Sequence, residues 1–308
     1  MHRVPPAVDR GRCNDCGRCV PVCPAGVMRM TPEGLRTVSA GCLACGHCVA
    51  ACPREALSIG GLEFARRFET VETDLRWVPH GRSDGGSLLS LMASRRSCRN
   101  FLDRPVPEAM IRDLVQAATL APSGTNSQGW TFTVLPDRAA VVAFGQRCLK
   151  FFDRLVRLSE IPWLRAGLRL LGRPELAAFH QDYAPAVREG IDLFRRRGVD
   201  RLFWGAPAVI LIGSLPGSTT PREDALLAAQ NLLLAAHAMG LGTCLVGFAV
   251  EALQRDPSLL RSLGCRPGER IHAVVALGWP GPAERYRRFP GRFRPPVRFR
   301  KARDFVTG

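Results

Sequence analysis

Residues 13 to 24 read CNDCGRCVPVCP and residues 42 to 53 read CLACGHCVAACP, so one twelve-residue pattern, C-x2-C-x2-C-x3-C-P, occurs twice within the first sixty positions. No hydrophobic pattern constrains this segment as tightly as eight thiols at fixed spacing. The opening ten residues carry Arg and Pro where an export signal needs an apolar stretch, which sets the expectation of a cytoplasmic protein. Thiols are kept reduced in that compartment, so spaced cysteines there point to metal or redox chemistry and not to disulfides. Structural zinc also uses C-x2-C knuckles, but such sites draw on two separated pairs, not on three close thiols and a crossed fourth.

The duplicated run resembles that of bacterial two-cluster ferredoxins over residues 8 to 60. The resemblance implies two 4Fe-4S clusters, one held by Cys13, Cys16, Cys19 and Cys52 and the other by Cys42, Cys45, Cys48 and Cys23. Three thiols at every third position converge on one face of a cubane, while Pro24 and Pro53 stop a helix and turn the last Cys toward the neighbouring cluster. Cys98, Cys148, Cys244 and Cys265 share no spacing and read as small buried hydrophobes.

Beyond the cysteines the chain turns irregular and charged, ending in HGRSDGG at residue 86, the makeup of an interdomain connection. The expected layout is a module at 1–60, a linker at 61–86, a second domain at 87–290 and a basic tail at 291–308. Residues 107–120 carry a helical stripe of Met110, Ile111, Leu114, Val115 and Ala118. Residues 131–135, 208–212 and 271–277 read as strands. Residues 224–239 read as a core helix, interrupted by Gln230, Asn231 and His237 and therefore no membrane span. An Arg- and Leu-rich helical insertion at about 151–201 is expected to form one or two helices over the surface.

Four further segments belong together: RRSCRNF at 95–101, APSGTNSQGW at 121–130, GLGTCLVG at 240–247 and GWP at 278–280. An Arg cluster with a hydroxyl suits a phosphate monoester but is commonplace in an Arg-rich chain. In this order and at these separations, however, the four segments resemble the nitroreductase family of FMN-dependent enzymes over residues 87 to 290. The resemblance implies an α+β protein, a small ferredoxin-like domain followed by a nitroreductase-like α+β sandwich. It implies that Arg95, Arg96 and Ser97 hold the FMN phosphate and ribityl chain, and that Arg99 reaches the pyrimidine edge, where a positive charge stabilises the anionic reduced ring. Pro122, Ser123, Gly124 and Asn126 match a loop that contacts the flavin from the partner subunit of a homodimer. Gly129 stands where the family has Pro, a change expected to loosen that loop. Leu245, Val246 and Gly247 are expected against the isoalloxazine, with the N–H of Val246 or Gly247 donating to N5. A dinucleotide fingerprint is excluded for GLGTCLVG, which lacks the third Gly and follows a helix. Arg288 matches a late phosphate-contacting Arg, with Arg285, Arg287 and Arg292 close by in sequence.

The implied activity is electron transfer from an external donor, a ferredoxin-like protein or NAD(P)H, through the clusters to FMN. Hydride then passes from flavin N5 to a small-molecule acceptor of the nitro, quinone or activated-alkene class, and no acid–base residue is required. The alternative is a flavo-iron-sulfur electron-transfer protein serving a protein partner. The formal charge of +16 falls to about +10 once the clusters (about −4) and the FMN phosphate (about −2) are included. Much of the excess lies in residues 284–308, read as a solvated, Pro-interrupted arm open to an acidic redox partner; no motif for reading nucleic acid accompanies it.

Overall fold

The computed structural model describes residues 5–38, 41–62, 67–74, 76–289, 291–293 and 295–300. Parts of the expected linker and tail, with Arg294, Lys301 and Arg303, lie outside them.

The N-terminal module comprises β1 (Ala7–Val8), β2 (Met28–Thr31), β3 (Gly34–Thr37), α1 (His47–Ala50) and β4 (Leu57–Ser58). β1 pairs antiparallel with β4 and β2 with β3, one two-stranded ribbon for each copy of the cysteine run. Its core is small: Cys19, Met28, Leu35, Cys48, Leu57 and Ile59 pack together, with Val27, Cys42 and Ala56 also buried. A core built partly of thiols leans on whatever those thiols bind.

The connection to the second domain is pinned at residues 69 and 70. Asp113, buried at 1 % exposure, accepts the backbone N–H groups of Glu69 and Thr70, both at 2.7 Å, and the Thr70 hydroxyl at 2.5 Å. Arg112 adds an ion pair to Glu69 at 2.8 Å. The expected linker thus lies against the helix that carries Asp113.

The second domain begins with α2 (Gly85–Ser94), whose N-cap Asp84 accepts the N–H groups of Gly86 and Ser87. There follow α3 (Glu108–Thr119), β5 (Trp130–Leu135), α4 (Arg138–Ser159), α5 (Pro162–Leu170), α6 (Glu175–Asp182) and α7 (Ala184–Arg197). The chain closes with β6 (Ala208–Ser214), α8 (Pro221–Ala238), β7 (Gly242–Leu245), α9 (Gly247–Arg255), α10 (Pro257–Ser262) and β8 (Arg270–Gly278). The strands form one antiparallel sheet in the order β5-β6-β8-β7. β6 and β8 sit at its centre and are apolar on both faces, since helices cover each side. Ala208, Ile210, Ile212, Ala273, Val275 and Leu277 pack against α3 and α8, while Val209, Leu211, Ile271, Val274 and Ala276 pack against α4 and α9. Gly213 marks a bulge between β6 and β8; a Cβ there would lie 2.6 Å from the Arg270 carbonyl oxygen.

The insertion is more divided than expected, forming the end of α4 and then α5, α6 and α7. Prolines divide it: Pro162 starts α5, Pro174 caps α6 and Pro185 lies in the first turn of α7. Among the described residues no helix is long and apolar enough to cross a membrane.

Candidate functional site

The two cysteine runs fold alike. In each, the residue before the second Cys and the Gly after it adopt left-handed backbone, Asp15 and Gly17 in one copy, Ala44 and Gly46 in the other. The thiols gather as two quartets about two cavities, one lined by Cys13, Cys16, Cys19 and Cys52, the other by Cys23, Cys42, Cys45 and Cys48. Each quartet is three thiols from one run and the last thiol of the other. The two crossing thiols are treated identically, Cys23 Sγ accepting the Val27 N–H and Cys52 Sγ the Ala56 N–H, both at 3.3 Å. Burial, then Cys52, Cys16 and Cys13, raises the Cys19 thiol; burial, then Cys23, Cys45 and Cys42, pushes Cys48 up to about 11. Crowded thiols that resist ionising alone are those that a shared cationic centre stabilises as thiolates.

In the second domain, three of the four motif segments come together. Ser97 bridges to Thr243 and the Cys98 N–H donates to the Thr243 carbonyl at 2.8 Å, so residues 95–101 run beside β7. Phe101 bridges to Pro280, and the Gly281 N–H donates to the Asn100 carbonyl at 2.7 Å. Burial raises the Cys244 thiol, and the nearby charges of Arg99 and Arg95 oppose the rise. Burial, then the charge of Arg292, then that of Arg95, holds the Arg96 guanidinium below its ordinary value. Among the described residues no carboxylate forms an ion pair with Arg95, Arg96, Arg99 or Arg292. Uncompensated guanidinium groups held this close suit a dianionic phosphate.

Arg288 and Arg292 are both exposed, and the charge of Arg292 is felt at Arg96. Glu284 positions the segment, accepting the Arg99 N–H at 2.8 Å and the Tyr286 hydroxyl at 2.7 Å. The Val246 N–H donates to the Val274 carbonyl at 2.8 Å. Gly247 opens α9, where N–H groups have no partner within the helix, and a side chain at Gly247 would meet nothing within 4 Å. Leu245 is exposed beside it, and Arg99 lies over the Trp204 ring at 5.9 Å.

The fourth segment, 121–130, is elsewhere, at the start of α8. Asp224 accepts the Gly124 N–H at 2.9 Å, the Thr220 hydroxyl at 2.8 Å and the Ser127 hydroxyl at 3.1 Å, and its carbonyl accepts the Trp130 indole N–H at 3.1 Å. Gly129 is tied to the residues before α8. A Cβ there would collide with Ser218, and the Gly129 carbonyl accepts the Leu215 N–H at 2.9 Å. Ser123 Oγ accepts the Gln128 N–H at 3.0 Å. The Asn126 amide donates to the carbonyls of Ala44 at 2.8 Å and Leu43 at 3.3 Å, joining this loop to a cysteine run.

Sequence reasoning passed over Asp224, Asp113, Phe248 and Tyr183. An acid in the first turn of a helix was visible at Asp224, but its burial was not. Phe248 follows Gly247 and meets Phe152 and Tyr183 edge-on at 5.6 and 5.9 Å. These rings line a groove of about 770 Å³ between α4, α6 and the start of α9.

Comparison with known proteins adds two family matches: the nitroreductase family model matches residues 92–279 and the 4Fe-4S dicluster domain model residues 12–57. A NADH dehydrogenase of Thermus thermophilus is 31 % identical over 60 % of this chain and 83 % of its own length. An iodotyrosine deiodinase of Haliscomenobacter hydrossis is 38 % identical over 64 % of this chain and 81 % of its own. A nitrobenzene nitroreductase of Ectopseudomonas oleovorans is 29 % identical over 61 % and 85 %. In fold, the chain resembles the crystal structure of a nitroreductase with bound FMN from Bacteroides fragilis, with a TM-score of 0.52, 19 % identity, and coverage of 70 % of this chain and 98 % of that one.

Proposed function

Because the chain belongs to the nitroreductase family, an oxidoreductase family, we propose that it binds FMN and two 4Fe-4S clusters and reduces a small organic acceptor of the nitro, quinone or activated-alkene class. The observation that carries this is the coexistence in one chain of two thiol-lined cavities, each completed by the other's run, and an uncompensated guanidinium group beside an open helix start.

The residues fit both kinds of group. Cys13, Cys16, Cys19 and Cys52 would hold one cluster and Cys23, Cys42, Cys45 and Cys48 the second. Arg95, Arg96 and Arg292, with Ser97, would bind the phosphate of FMN. Arg99 would keep positive charge at the pyrimidine edge, and Gly247, having no side chain and a free N–H, would hydrogen-bond N5. When bound, the flavin supplies hydride transfer from N5 to the acceptor. Phe152, Phe248 and Tyr183 offer the acceptor an apolar, aromatic slot next to Gly247, restricting water at the reacting face. The donor is proposed to be a ferredoxin-like protein or NAD(P)H, and the working unit a homodimer.

The test is the visible spectrum of anaerobically purified protein with iron, sulfide and flavin counts, followed by a single turnover of the reduced protein with a nitroaromatic or a quinone. Two clusters and one FMN per chain, with flavin reoxidised by the acceptor, are expected. Colourless protein, or zinc in place of iron, would sink the proposal.

A further inference from the structure

The residues assigned to the flavin fall at opposite ends of α8. Gly124 and Ser127 are tied to Asp224 in its first turn. Ser97 pairs with Thr243, just beyond the other end, where the Leu241 N–H returns to the Ala236 carbonyl. At 1.5 Å per residue, Asp224 and Ala236 are about 18 Å apart along the axis. One chain therefore does not fold its own 122–126 loop over its own guanidinium group.

The loop instead holds the cluster module. Leu43 and Ala44, whose carbonyls accept the Asn126 amide, are the two residues between Cys42 and Cys45, and Leu43 lines the cavity of Cys23, Cys42, Cys45 and Cys48. Among the described residues, α2 and the start of α8 leave apolar side chains exposed. α2 buries none of its residues and exposes Leu88, Leu89 and Met92, while α8 exposes Leu226 and Leu227. Such side chains on a chain whose site is split call for a second copy, whose loop then meets the first copy's arginines.

We propose that electrons cross between subunits: the cluster held by Cys23, Cys42, Cys45 and Cys48 of one copy reduces the flavin whose phosphate is bound by Arg95 and Arg96 of the other, with Asn126 as the positioning residue. This rests on the cofactors proposed above. The other quartet, which includes the exposed Cys16, takes single electrons from the external donor. Two such electrons, passed one at a time, and one proton from solvent convert oxidised flavin to its reduced anion, and the donor is oxidised by two electrons.

Mixed dimers test it. One copy carries R95A/R96A and keeps its clusters; the other carries C42S/C45S and keeps its guanidinium group; different tags on each allow the mixed pair to be isolated. After flash reduction, absorbance at the flavin band is followed. Transfer between subunits requires that the one flavin of the mixed dimer be reduced at close to the native rate, while neither homodimer shows cluster-to-flavin transfer. An unreduced flavin in the mixed dimer means transfer within one chain and overturns the proposal, as does failure of two differently tagged native copies to copurify. N126A is expected to slow cluster-to-flavin transfer at least tenfold per flavin bound and to raise hydrogen exchange at residues 41–46. An unchanged transfer rate removes Asn126 from the route. Native protein without iron or flavin would instead defeat the functional reading itself.

Discussion

The Asp224 carboxylate accepts the Gly124 N–H at 2.9 Å across 100 residues of sequence, and so fixes the proposed flavin loop to the first turn of α8. Its oxygens also accept from Thr220 and Ser127, and at 3 % exposure water cannot replace these bonds. Asp224→Ala is expected to cost about 2–3 kcal/mol of stability, measured by denaturant unfolding, and to loosen FMN. Asp224→Asn keeps the shape and one acceptor, so its loss should be smaller. Equal stability of D224A and native protein would show that the loop does not depend on this carboxylate.

The charge of Arg292 acts on Arg96. Hydrogen bonds to a charged partner contribute about 1.5–3 kcal/mol, so Arg292→Ala should weaken FMN binding roughly tenfold to a hundredfold, read from flavin fluorescence in equilibrium titration. Arg288→Ala should change it by less than about threefold. The reverse ranking would return the role to Arg288.

At Asp113, burial alone would raise the carboxyl, but the Thr70 hydroxyl and the N–H groups of Glu69 and Thr70 outweigh it and hold the group below its ordinary 3.8. The sign follows from linkage: a depressed folded value means stability that is complete above the unfolded value and is lost as pH falls through the folded one. Proteolysis in the 61–86 segment is therefore expected to stay slow at neutral pH and to accelerate only well below pH 4, using an acid-tolerant protease. Asp113→Asn should abolish that pH step and leave the segment cleavable throughout.

Stripping iron under anaerobic conditions should unfold the N-terminal module and spare the rest, because the module's buried residues include Cys19, Cys42 and Cys48, three of the thiols proposed as ligands. Hydrogen exchange should rise over residues 5–62 and remain unchanged in β6 and β8. Retained protection in the module after chelation would mean that its apolar contacts suffice.

What the sequence made legible depended on how local each requirement is. The cysteine pattern is local, so through the ferredoxin resemblance both thiol quartets could be named from sequence, and each lines its own cavity. The central strands and α8 were readable because their burial imposes long apolar runs. The insertion was read as fewer helices because its apolar period continues past Pro162, Pro174 and Pro185. Arg288 and Arg292 share an irregular segment with no period to set a register, and bonds from Glu284 to Arg99 and Tyr286 help to place it. Asp113 and Asp224 left the weakest trace, since what matters about each is a partner distant in sequence.

The clasp at Thr70 pins the connecting segment, and the bond at Asn126 holds the N-terminal module itself. A module so mounted is a fixed fitting and not a shuttle on a leash, so the proposed delivery of charge requires no diffusive excursion. Thickening the solvent with glycerol or lengthening the connecting segment should then leave internal transfer untouched, slowing only the encounter with whatever supplies the reducing power.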